Sequence, residues 1–377
     1  MTPFLQTPRI IFDHGAIRAL PAELAQLGST RPLLITDHGL VRAGLLDRLR
    51  AALPAAMQAP LFDQVPENPT AAAVDAAFAL YRTENCDAVV ALGGGSVLDS
   101  GKAVAVLAGH ADQTGWGRCA DYMGHPDRIT HRVAPLIAIP TTAGTGSEAS
   151  HGSGIHPSDT TRAIGLGSAW IIPRVAICDP DFTQSLPRHL IAQTGLDALS
   201  HCIEGFLATQ RNPLLDAVAL DGARRVQDWV ERATEAPDDA EARWQMMLAA
   251  LAGGMAIPKG LGPIHAIAGT LGDQGLHHGL LVSLAMPPVL RLHTHHAPER
   301  MGALAQTMGV SSGMEVADEI AALNHRLGLP ATLRAAGYRP GDMDEMAASV
   351  AESRFNLHAP YRPSVAEAMG ILREVIG

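Results

Sequence analysis

Four side chains able to ligate a metal fall into two pairs in the second half of the chain. Asp197 and His201 stand four residues apart in GLDALSHCIE, and His265 and His278 follow in GPIHAIAGTLGDQGLHHG. Four residues make one helical turn, so the Asp197 carboxylate and the His201 imidazole project from one face and can grip one ion. His265 and His278, 13 residues apart, cannot share a face of an unbroken helix, but Gly269, Gly272 and Gly275 permit a break that returns His278 to the side of His265. Three imidazoles and one carboxylate suit divalent iron or zinc and leave a position for a substrate oxygen. With 17 histidines in 377 residues, chance alone supplies an Asp/His pair at this spacing, so the set draws its weight from further signals upstream.

The first of these is CDAVVALGGGSVLDSGKAVAVLAG. Residues 88–92 read as a buried parallel strand, Gly93, Gly94 and Gly95 as a tight turn, and residues 97–107 as a helix. Glycines let backbone approach a phosphate closely, and the free N–H groups of a first helical turn, with the Ser96 hydroxyl, can donate to its oxygens. The segment is neither a GxGxxG fingerprint nor a Walker loop, since Lys102 falls inside the helix. A second polar loop follows the apolar run 136–139 in PLIAIPTTAGTGSEAS, where Thr141, Thr142, Thr145 and Ser147 crowd around Gly144 and Gly146. Ligands of open α/β sheets bind at such strand ends; an ordinary solvated loop has the same composition.

The elements that must carry these residues change character near residues 185–187. Before that point, short apolar runs alternate with helical patterns (32–36, 41–50, 71–82, 88–92, 97–107), which is βα repetition and predicts a parallel sheet. After it, stretches such as 214–234 and 240–256 are helical without strand alternation. The expected layout is α/β plus all-α: residues 1–186 as a nucleotide-binding domain and 187–377 as a helical metal-binding domain. The 47% hydrophobic content reads as globular, the four cysteines form no CxxC pair, and the N-terminus lacks a basic start followed by an apolar core, so a cytoplasmic protein is expected. A net charge of −10 without a basic run argues against nucleic acid or an anionic membrane as partner.

GGGSxxD with Lys102, PTTAGTGSE, CDPDFTQSLP, TGLDALSHCIEGF and the segment from His265 to His278, in this order across nearly the whole chain, resemble the iron-containing (group III) alcohol dehydrogenases. Within that family, KGLG before His265 and LHHG at His278 look most similar to 4-hydroxybutyrate dehydrogenases. The resemblance implies a dehydroquinate synthase-like fold, NAD, Fe²⁺ or Zn²⁺ held by Asp197, His201, His265 and His278, a small alcohol or aldehyde substrate, and a homo-oligomer. It also brings Asp99 and Asn68 towards the nucleotide, and Arg162 to a position where the family carries lysine, which keeps the charge without the geometry. Asp37, ending the apolar stretch LLIT, can accept from the ribose hydroxyls and repel a 2′-phosphate, so NAD is expected over NADP.

Two positions set the chemistry apart. Most members carry a proton-relaying histidine four residues after the third ligand, whereas this chain has Gly269; His277 is the candidate substitute. Lys259, six residues before His265, is the candidate to pair a substrate carboxylate. The alternatives are a dehydrogenase of a neutral short alcohol or diol, a metal-dependent hydrolase with no need of NAD, and a relative that lost activity with the relay histidine. Glycerol dehydrogenases and dehydroquinate synthase are disfavoured by the Asp/His/His/His pattern.

Overall fold

Six short strands, each a nearly continuous apolar run, lie side by side in one parallel sheet. The computed structural model describes residues 5–112, 116–158 and 162–377, and the chain divides into two compact units, residues 1–142 with 147–185 and residues 143–146 with 186–377. The first unit holds β1 (Arg9–Phe12), β2 (Pro32–Ile35), β3 (Leu61–Phe62), β4 (Ala88–Gly93), β5 (Leu136–Pro140), β6 (Gly152–Ile155), β7 (Ile164–Gly167) and β8 (Val175–Cys178). Its helices are α1 (Leu20–Gln26), α2 (His38–Arg42), α3 (Leu45–Ala52), α4 (Ala71–Thr83) and α5 (Gly95–Gly109). The sheet order is β1-β8-β5-β4-β2-β3, all parallel, with β6 and β7 forming a separate antiparallel hairpin.

Alternate residues of the strands supply the two faces. Leu33, Ile35, Val89, Ala91 and Ala138 join the core under α4 and α5, while Leu34, Val90, Leu92, Ile137 and Ile139 join the core under α1 and α3. Burial on both faces explains why these strands read as unbroken apolar runs. Register then sets the ligand-binding edge: Gly93 pairs with Pro140, so β4 and β5 end level, and Thr141 N–H donates to Gly93 O at 3.0 Å. The single helix expected over residues 41–50 is two, α2 and α3, because Gly44 turns the chain with φ +75°.

The second unit is all-helical: α6 (Arg188–Leu207), α7 (Pro213–Glu235), α8 (Ala240–Ala256), α9 (Pro263–Leu271), α10 (His278–His296), α11 (Pro298–Thr307), α12 (Gly313–Arg326), α13 (Met343–Glu352) and α14 (Val365–Ile376). Every residue of α6 from Thr194 to Leu207 is buried, which makes it the unit's central helix and places its polar side chains where only a partner or a ligand can satisfy them. Pro287 within α10 cannot donate to Ser283 O, and the Asn324 side-chain amide does so instead at 2.8 Å. Among the described residues no single helix is long and apolar enough to cross a membrane, and all four cysteines are buried and free.

Candidate active site

Asp197 and His201 lie one turn apart on α6, and the ligand atoms they offer lie with that of His265 on α9 within 4.8 Å of one another. Asp197 Oδ1 is 3.8 Å from His201 Nε2 and 3.6 Å from His278 Nε2. Donors about 2.1 Å from a shared tetrahedral ion stand about 3.4 Å apart, so these gaps are of the size an ion requires. The His201 and His265 rings stack at 4.8 Å, and His278 lies 5.5 Å from His265. His278 opens α10 with its side chain 49% exposed, leaving that side of the cluster accessible.

The outward edges of two imidazoles are fixed by acceptors. His201 Nδ1 lies 3.3 Å from Gly144 O, and His265 Nδ1 lies 2.6 Å from Glu204 Oε2, whose other oxygen accepts from Ile264 N–H at 2.7 Å. A ring that donates through Nδ1 presents the Nε2 lone pair on its far side. Among the described residues, neither Asp197 Oδ1 nor His265 Nε2, both buried, has a hydrogen-bond partner. Burial would raise the Asp197 carboxyl, but His201, His278 and His265 together outweigh it and hold the carboxyl below its usual range. Burial lowers the His201 imidazole, favouring the neutral form that a metal needs.

Glycines bring these groups together by permitting backbone contact. A Cβ on Gly144 would stand 2.3 Å from Thr194 O on α6, and one on Gly146 (φ +63°) 2.4 Å from Gly254 Cα on α8. The segment 143–146 therefore lies directly on the helices, carrying Gly144 O to His201. The break before His278 differs from expectation: α9 runs on through Gly269 to Leu271, and the reversal uses Gly272 as cap and Gly275 at φ +74°.

In the first unit, Gly94 is the N-cap of α5 at φ −75°, so the glycines serve proximity and not left-handed backbone. A Cβ on Gly93 would lie 2.4 Å from Val97 Cβ, and one on Gly94 3.2 Å from Thr142 Cγ2. Gly95 opens the helix, Thr141 is buried, and Thr142 Oγ1 is buried without a partner among the described residues. Ser96 departs from expectation: its hydroxyl donates to Glu67 O, which holds the segment bearing exposed Asn68 beside the start of α5. Asp99 and Ser147 also turn inward. Ser147 Oγ donates to Asp99 at 2.5 Å and Gly154 N–H to its other oxygen at 2.7 Å, a tie between α5 and β6 that Lys102 extends through Ser150 O and Gly152 O. Asp37 caps α2, accepting from Leu40 N–H at 2.9 Å. Thr145 is half-buried in segment 143–146, and Arg162 is exposed.

The assignment of Lys259 to a substrate carboxylate is corrected. The side chain is buried, and its ammonium donates to Gly205 O at 2.8 Å, to Phe206 O at 3.4 Å and to Asp216, so it caps the end of α6. His277 is exposed at the N-cap of α10, with Nδ1 accepting from Gly279 N–H at 3.1 Å. Sequence reasoning missed Glu204, although a carboxylate three residues after His201 on a helix already bearing two ligands was a readable signal. It also missed the Gly144 carbonyl and Phe355, whose ring lies 6.1 Å from that of His265.

A parallel α/β unit precedes an all-helical unit that carries the Asp/His cluster, and the chain belongs to the iron-containing alcohol dehydrogenase family. Residues 7–180 match the family model for iron-containing alcohol dehydrogenase, and residues 191–376 that for the C-terminal part of the Fe-containing alcohol dehydrogenase family. The chain is 40% identical over 376 residues to 4-hydroxybutyrate dehydrogenase of Cupriavidus necator, covering 97% of each. A crystal structure of 1,3-propanediol oxidoreductase matches with TM-score 0.90 at 30% identity, covering 99% of both chains. Sulfoacetaldehyde reductase from Bifidobacterium kashiwanohense, crystallised in complex with NAD+, matches with TM-score 0.90 at 26% identity, over 100% of this chain and 98% of that one. The protein is thus an oxidoreductase acting on an alcohol group.

Proposed function

We propose that the protein is a metal-dependent, NAD-linked alcohol dehydrogenase and aldehyde reductase whose substrate is a short hydroxy acid such as 4-hydroxybutyrate. The metal assignment rests on one observation above the others: Asp197 Oδ1 and His265 Nε2 are buried among imidazoles with no hydrogen-bond partner among the described residues, a cost a bound cation removes. Asp197, His201, His265 and His278 would hold Fe²⁺, with Zn²⁺ as the alternative. When bound, the ion supplies Lewis acidity towards the substrate oxygen and the nicotinamide takes the hydride.

The chain's own residues prepare the site. Glu204 and Gly144 O hold two imidazoles with their lone pairs inward, and Asp197 supplies the one anionic ligand. In the sheet unit, the first-turn N–H groups at Gly94, Gly95 and Ser96 would face the pyrophosphate. Thr141, Thr142 and Thr145 would line the nicotinamide half, Asn68 and Arg162 would flank the nucleotide, and Asp99 with Ser147 would brace the loop. Asp37 would accept from the ribose hydroxyls and disfavour NADP. Because His277 Nδ1 accepts Gly279 N–H, the neutral ring carries its proton on Nε2, and His277 is the proposed proton carrier where the family histidine is absent at Gly269. The hydroxy-acid substrate is supported by the 40% identical 4-hydroxybutyrate dehydrogenase; a neutral diol is the second reading, supported by 31% identity to 1,3-propanediol dehydrogenase of Klebsiella pneumoniae.

Anaerobic NADH formation by Fe²⁺-loaded and Zn²⁺-loaded protein tests the proposal, comparing 4-hydroxybutyrate with 1-butanol and NAD⁺ with NADP⁺. Faster oxidation of the acid with NAD⁺ is expected. Preference for the neutral alcohol would discard the hydroxy acid, and turnover that survives chelation would discard the metal.

A further inference from the structure

With Lys259 turned inward, a hydroxy acid needs another cation near the metal cluster. Gly269 stands one turn beyond His265 on α9, and a Cβ there would lie 3.6 Å from Phe355 Cε2. That is ordinary van der Waals contact at an exposed position, and the Phe355 ring lies 6.1 Å from that of His265, so an aromatic ring stands beside both residues. Phe355 is held in place by a short 3₁₀ helix, Arg354–His358, where Ser353 Oγ accepts Phe355 N–H at 3.3 Å. Buried Asn356 secures the same turn by donating to Val350 O at 2.8 Å, at the end of α13. Beside this ring stands Arg354, its guanidinium carbon 5.9 Å from the Phe355 ring centre. Arg354 is exposed and makes no hydrogen bond or ion pair among the described residues. Arg300, by contrast, is committed to Phe206 O and Asp216.

We infer that Arg354 is the residue that reads the substrate carboxylate, with Phe355 covering the methylene chain between it and the metal cluster. The inference rests on the proposed hydroxy-acid dehydrogenase activity. Through Phe355, the guanidinium carbon lies at most about 12 Å from the His265 ring centre. An extended four-carbon hydroxy acid separates its end oxygens by about 6 Å on bonds of ~1.5 Å. Adding about 2 Å from ion to oxygen and about 2.8 Å for a charge-assisted hydrogen bond gives a reach of about 11 Å, close to that upper limit. A two-carbon acid reaches about 2.5 Å less. The planar guanidinium can take a carboxylate through two parallel N–H donors, and its carbon lies over the Phe355 ring at the outer range of a cation–π contact.

The test is the ratio of kcat/KM for 4-hydroxybutyrate to that for 1-butanol, in wild type, Arg354→Ala and Arg354→Lys. Arg354→Ala should lower this ratio about ten- to a hundredfold, mainly through KM of the acid, and Arg354→Lys should restore part of it. The effect should shrink for glycolate. An unchanged ratio, whether both substrates fall together or neither moves, overturns the inference. If wild type oxidises neither substrate, the dehydrogenase reading has failed separately. Calorimetric titration of the Zn²⁺-loaded protein with 4-hydroxybutyrate then decides: affinity that is equal in wild type and Arg354→Ala, or absent in both, overturns the role of Arg354.

Discussion

Replacing Glu204 by Gln changes one oxygen for one NH₂ and should disable the metal cluster without removing a ligand. Glu204 accepts from Ile264 N–H at 2.7 Å and from His265 Nδ1 at 2.6 Å, one bond on each oxygen. A glutamine has a single acceptor. If its oxygen keeps Ile264, its NH₂ faces His265 Nδ1, and the ring must move its proton to Nε2, where it blocks the metal position. If its oxygen keeps His265, two N–H donors collide at Ile264. Each charge-assisted bond to a buried carboxylate is worth about 1.5–3 kcal/mol, and loss of such an outer partner weakens metal binding about 10–100-fold. Zinc retained after dialysis against graded chelator measures the affinity, and urea unfolding of the metal-free protein measures the stability. Histidine ¹⁵N spectra of the metal-free protein report the tautomer: wild type should show His265 protonated at Nδ1, and Glu204→Gln should show it at Nε2 or divided. Wild-type zinc affinity together with an unchanged His265 tautomer would refute the reasoning.

Gly144→Ala should cost about 1–3 kcal/mol by overpacking, since its Cβ would stand 2.3 Å from Thr194 O; it should also loosen zinc by shifting Gly144 O from His201, and urea unfolding beside chelator competition checks both. Lys259→Met should lower stability by about 1.5–3 kcal/mol by releasing Gly205 O, Phe206 O and Asp216. The same variant should leave the acid-to-alcohol ratio of kcat/KM in place; a fall in that ratio would return Lys259 to the substrate. Burial lifts the Glu148 carboxyl from 4.5 to about 6. The folded protein therefore takes up more protons than the unfolded chain in that window, so stability present below pH 4.5 is lost as pH rises through about 6, by about 2 kcal/mol at 1.36 kcal/mol per unit. Glu148→Gln should remove this fall, and unfolding at pH 4.5 and 7.5 measures the difference.

How far the site could be read depended on whether a residue's role is local. The Asp197/His201 pairing follows from helical spacing alone, and the buried strands β2, β4 and β5 announce themselves as apolar runs because both sheet faces are covered. The two-residue β3 and the glycine-rich β6 and β7 carry no such signal. Glu204 could be flagged by its place one turn after His201, but its role could not be read, because its partner His265 is 61 residues away and no periodicity connects the two. Lys259 misled for the opposite reason: a lysine beside a site suggests a solvent-facing cation, and its burial against Asp216 depends on how α6 and α7 pack. Gly269 read as a breaker, but a glycine flanked by helix-compatible neighbours stays helical when packing supplies the stability.

Four residues, Ala143–Gly146, leave the sheet unit for the helical one and the chain then returns, so it passes between the units three times. The halves are for that reason not interchangeable cassettes. A C-terminal fragment beginning near residue 186 would lack the strap whose Gly144 carbonyl orients His201 and whose Gly146 fits against Gly254. Recombination between relatives at the apparent boundary would import this strap from one parent and its receiving helices from the other. Chimaeras should keep their metal site only when residues 143–146 travel with α6 and α8, which makes the inherited unit of the cluster a discontinuous one.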